Sequence, residues 1–65
     1  MPTLKIEGGK EVTVPARLVV RMAERLFRMG PARRPAYVEK ARLRLASPHP
    51  SRNAAAVLLA AGEAP

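Results

Sequence analysis

Acid–base or nucleophilic chemistry needs converging ionisable groups, and this chain offers few. It has no cysteine and no aspartate, and its five carboxylates (Glu7, Glu11, Glu24, Glu39 and Glu63) are scattered along 65 residues. The single histidine, His49, stands between Pro48 and Pro50, where a loop residue is expected rather than a general base or a metal ligand. Gly8-Gly9 lacks the Lys-Ser/Thr ending and the following helix of a phosphate-cradling loop, so the pair is expected to be a turn. Neither an enzyme nor a bound cofactor is expected. Without cysteine and with one histidine, disulfides are excluded and a structural zinc nearly so.

The cations are the stronger chemical signal. Twelve Lys and Arg stand against five Glu, giving a net charge of +7, and nine of the twelve are Arg. The segment from Arg17 to Arg44 holds nine of these cations and two Glu, so its net +7 equals that of the whole chain. Arginine's planar fork suits bidentate contacts with phosphate or carboxylate, so an anionic partner is expected. A thermophile-like composition, rich in Arg, Ala, Pro and Glu and poor in Asn, Gln and Cys, is the competing source of the same charge. The expected nucleic-acid contacts are Arg17, Arg21, Arg28, Arg33, Arg34, Lys40 and Arg44.

These side chains need elements to hold them, and the sequence supplies one small domain: a mostly α chain, an N-terminal β-hairpin followed by three short helices. Thr3-Leu4-Lys5-Ile6-Glu7 and Lys10-Glu11-Val12-Thr13-Val14 alternate in polarity around the glycine pair, a hairpin signal spanning residues 3–14. A three-residue loop of Gly8, Gly9 and Lys10 would pair Ile6 with Val12 and Leu4 with Val14, placing all four apolar side chains on one face. Pro15 then suits the first turn of a helix over about 15–29, which stops at Gly30-Pro31. A second helix is expected over about 35–46, with Tyr37, Val38, Ala41 and Leu45 on one face. A third is expected over about 52–61, with Ser51 as its N-cap and Gly62 past its end.

At about 100° per residue, Arg17, Arg21, Glu24, Arg25 and Arg28 fall in one strip of the first helix, and the remaining arc of roughly 200° is apolar. One chain this short can hardly cover such an arc on two sides, and small domains lacking disulfides or metals tend to gain stability by association. A homodimer is therefore expected, with Val20, Met29, Leu43, Val57 and Leu58 as its interface. The third helix, nearly apolar all round, is expected to be buried or to lie at that interface. Phe27 and Tyr37, the only aromatics, both fit core positions, which argues against single-strand binding by base stacking.

Residues 10–46 resemble the ribbon–helix–helix family of DNA-binding repressors and antitoxins. The resemblance rests on a short strand, Val12-Thr13-Val14, a helix from Ala16 to Met29, a turn at Gly30 with Arg33 after it, and a helix carrying Tyr37-Val38 and Ala41. In that family two strands pair across a dimer axis and enter the major groove, while amides at the start of the second helix hold a phosphate. The resemblance implies that Glu11 and Thr13 point toward bases and that the Arg33-Arg34 turn sits at a phosphate. Pro35 departs from the family's small polar cap, and Thr3 to Glu7 would compete for the strand edge that the dimer mate uses.

Two functions follow. The first is a small basic nucleic-acid-binding protein, a candidate transcriptional regulator that contacts phosphates through its Arg strip. The second is a protein-binding module (a phage-type inhibitor, an antitoxin or an assembly subunit) docking on an acidic surface of a larger complex. No stretch approaches the roughly 18 apolar residues of a membrane span, and no signal-peptide pattern opens the chain, so a cytoplasmic location without membrane contact is expected.

Overall fold

The computed structural model describes residues 2–6, 9–46 and 50–62. Five elements follow in order: β1 (Thr3–Lys5), β2 (Glu11–Thr13), α1 (Ala16–Met29), α2 (Arg34–Leu45) and α3 (Arg52–Ala60). His49 lies outside the described residues.

β1 and β2 pair antiparallel, Thr3 with Thr13, Leu4 with Val12 and Lys5 with Glu11. Leu4 and Val14 are buried, Ile6 and Val12 half-buried, and Thr3, Lys5, Glu11 and Thr13 exposed. The apolar face is therefore the expected one, but the register is two residues away from the expected pairing of Leu4 with Val14 and Ile6 with Val12. A shift of two preserves the face, because side chains alternate with a period of two. Instead, Ile6 N–H donates to the Lys10 carbonyl at 2.9 Å, and Val14 N–H to the Pro2 carbonyl at 2.8 Å. A three-residue hairpin loop commonly ends on a left-handed residue. The observed register gives that position to Gly9, at φ +77°; the expected one would have given it to Lys10, whose Cβ resists it.

Pro15 precedes α1 rather than opening it. At φ −59° and ψ 137° it occupies the cap position, and its carbonyl accepts from Leu18 and Val19 N–H at 2.9 and 3.3 Å. α2 likewise begins one residue before Pro35, at Arg34; the N–H that Pro35 lacks is among those a first turn leaves without a helical partner. Ser51, extended at φ −76° and ψ 131°, caps α3 by accepting the Ala54 N–H on its hydroxyl at 3.3 Å.

α1 ends at Gly30, whose φ of 82° and ψ of 165° belong to a backbone region that is essentially glycine-only. Gly30→Ala is expected to cost about 1–3 kcal/mol of stability although the added methyl meets nothing within 4 Å. Chemical denaturation checks this, and an unchanged midpoint would show that the turn relaxes freely.

α3 is last in sequence and central in space. It packs against α1, α2 and β2, and five consecutive residues, Ala54 to Leu58, are buried. At about 100° per residue, five successive positions span the whole helix circumference, so α3 is covered on every side. Met22 and Leu26 of α1, Val38, Ala41 and Leu45 of α2, and Leu4 and Val14 at the hairpin complete the core. The alanines keep α3 thin, and this lets two helices and a hairpin close around nine residues.

Expectations about three apolar side chains, Val57, Leu58 and Phe27, are corrected. Val57 and Leu58, expected at an interface between chains, are 3% and 0% exposed inside one chain. Met29 is half-buried against that same core. Phe27, expected in the core, is 82% exposed, because its neighbour Leu26 takes the inward direction and adjacent helical residues diverge by about 100°. Val20 and Leu43 are exposed, as an interface role requires.

Candidate nucleic-acid interface

α1 positions the first group of cations. Arg17, Arg21 and Arg28 share a strip about 40° wide and all are exposed. The strip's single acid, Glu24, is exposed as well. Arg25 borders it on the side toward α2, where its Nη1 donates to the Tyr37 hydroxyl at 3.4 Å. That contact joins the α1 strip to one flank of α2. Lys40 and Arg44 lie three and seven residues beyond Tyr37, on the same side of the helix, and both are exposed. Arg25 was absent from the expected contact set, although its place four residues after Arg21 put it on the strip.

The opposite flank of α2 differs. There Arg42 Nη1 donates to Glu39 Oε2 at 2.8 Å in a surface ion pair. By helical spacing this pair sits more than 100° around α2 from Lys40 and Arg44. Among the described residues, Arg17, Arg21, Arg28, Arg33, Lys40 and Arg44 have no carboxylate within ion-pairing distance. Their charge is thus uncompensated on the side that Arg25 and Tyr37 bridge.

Arg33 and Arg34, adjacent in sequence, do different things. Arg33 is exposed at the start of α2. Arg34 is half-buried, and its Nε donates to the Leu26 carbonyl at 3.2 Å. Leu26 is in the last turn of α1, where carbonyls have no helical partner and a cation meets the negative end of the helix dipole. Arg34 therefore ties α2 to the end of α1, and its capacity for outside anions is reduced accordingly. Its distance in sequence from Leu26 hid this role.

Cavities decide what kind of contact this face can make. The cleft beside Arg44, lined by Tyr37, Ala41, Asn53, Ala54 and Val57, holds about 40 Å³. That is room for roughly one water and not for a nucleotide base. Phe27, although exposed, lies about 100° around α1 from the middle of the strip. The cleft at Tyr37 and Arg44 therefore takes no base, whereas wider clefts of about 690 and 830 Å³ open beside Arg34 and Arg42 and beside Lys10 and Arg52. Glu11 and Thr13 are exposed on the outer face of the hairpin.

Among the described residues, no group of three His, Cys, Asp or Glu could hold a metal ion, and no helix is long and apolar enough to cross a membrane. No family model matches the chain, and neither a curated protein nor a solved structure matches it.

Proposed function

We propose that this protein binds nucleic acid through the phosphate backbone. What supports this most is the set of six exposed cations, Arg17, Arg21, Arg28, Arg33, Lys40 and Arg44, which lack carboxylate partners among the described residues. Phosphates are evenly spaced along a duplex and reward such a surface through counterion release. The cleft at Arg44, with room for about one water, fits contacts there that position the protein rather than read sequence. A role in transcription, and the ribbon–helix–helix arrangement in which Glu11 and Thr13 meet bases, would be further steps beyond backbone binding.

Arg21 and Arg42 make a matched test. Arg21→Ala removes an unpaired cation from the strip and is expected to weaken duplex binding equally on unrelated sequences. Arg42→Ala removes the same charge from the far flank, where Glu39 holds it, and is expected to change binding little. Fluorescence anisotropy with two unrelated duplexes checks both. Equal losses for the two variants would mean that net charge alone governs binding.

Docking on an acidic protein surface is the second function that an observation favours, since exposed Phe27 and Val20 adjoin the cations. It predicts negligible duplex binding at physiological salt.

A further inference from the structure

Ala16, Val20, Ala23 and Phe27 form a stripe on α1 in steps of four, three and four, and all four are exposed. This is the spacing of a coiled-coil seam, here on a flank about 100° around α1 from the Met22 and Leu26 face that packs in the core. Its Ala23 and Phe27 border a cleft shared with Pro35, Val38 and Arg42 of α2. We propose that the stripe is the seam of a homodimer in which α1 pairs antiparallel with α1 of a second copy. This rests on the apolar stripe and not on phosphate binding, and so stands apart from the proposed function.

Size complementarity selects the antiparallel arrangement. Centred between Arg21 and Met22, it sets Phe27 of each chain opposite Ala16 of the second copy, and Val20 opposite Ala23. Large side chains then meet small ones along the whole stripe. A parallel pair would set Phe27 against Phe27 and Ala16 against Ala16, crowding one end and leaving a gap at the other.

Charge complementarity selects it again. Arg17 and Glu24 flank the stripe on its solvent side, the positions whose charges choose partner and orientation in paired helices. Glu24 is the only acid on α1. In the antiparallel pair, Arg17 of one chain stands two residues off level from Glu24 of the second copy, about 3 Å along the axis. Two symmetric ion pairs result. Parallel pairing would instead carry the two copies of this flank to opposite sides of the seam, where Arg17 and Glu24 form no such pairs.

The two-fold axis of such a pair runs perpendicular to both helices, so it keeps the two cationic strips on one side of the dimer. Arg21 and Arg28 of both chains then form one band, while Arg17 turns to Glu24 of the second copy.

Sedimentation velocity without nucleic acid tests this. The wild-type chain is expected to be a dimer. Phe27→Glu is expected to be a monomer with unchanged helical circular dichroism, because Phe27 is 82% exposed in the single chain. Arg17→Glu and Glu24→Arg, each placing two like-charged pairs across the seam, are each expected to raise the dissociation constant about tenfold, and the double exchange is expected to restore it. A monomeric wild type, which would leave the stripe for a different protein, overturns the proposal. So does a dimer that survives Phe27→Glu, or a double exchange that restores nothing.

Discussion

Leu58→Asp is expected to leave the chain unfolded at room temperature. Leu58 is fully buried in the last turn of α3, the helix that α1, α2 and β2 all pack against. Truncating a buried leucine to alanine alone costs about 2–5 kcal/mol. An aspartate adds the cost of a buried carboxylate, and no buried polar or charged side chain is found among the described residues to receive it. A 65-residue domain has only about 3–10 kcal/mol of total stability at typical per-residue values. The loss therefore equals or exceeds what the fold has. Leu43→Asp is the matched control: Leu43 is 66% exposed, and a surface change is expected to stay within about 0.5 kcal/mol. Far-UV circular dichroism with thermal melts compares them. A cooperative melt for Leu58→Asp near that of wild type would mean that α3 is not the core.

Element types, the apolar face of the hairpin and the buried side of α2 were legible in the sequence because each is set locally. Alternation around Gly8-Gly9 gave the hairpin face, Ser51 and Gly62 gave the limits of α3, and 3.6-residue periodicity gave the buried side of α2. The misses depend on what one element does to another. The hairpin register turned on which residue must adopt the left-handed conformation, and Gly9 at φ +77° competes there with a pairing that looks equally good side chain by side chain. The all-round apolarity of α3 fits a core helix and an interface helix alike, and its burial by both neighbours and β2 decides for the core. Phe27 was misplaced because α1 is apolar over two flanks and periodicity does not say which one α3 takes.

The cationic site divides the same way. The α1 strip follows from helical geometry alone, so Arg17, Arg21 and Arg28 were legible. The link from Arg25 to Tyr37 and the use of Arg34 on the Leu26 carbonyl join residues twelve and eight positions apart. Both require knowing how α1 and α2 meet.

Phosphate binding has the second large expected effect, because several contacts act together. Each phosphate neutralised on duplex DNA contributes about −0.9 to the slope of log affinity against log salt. Five or six contacts from the exposed cations give about −4 to −6 per chain. Raising salt from about 50 to 200 mM would then lower affinity roughly a thousandfold. Arg21→Ala removes one contact, so its slope is expected to be shallower by about one. Arg21 is exposed and is not a core residue, so its folding stability should stay within about 0.5 kcal/mol of wild type. The most direct measurement is the salt dependence of binding to one duplex for wild type and Arg21→Ala. A wild-type slope near −5 that falls by about one in the variant is the predicted result. A slope near zero, or identical slopes for the two proteins, would contradict phosphate binding by this face.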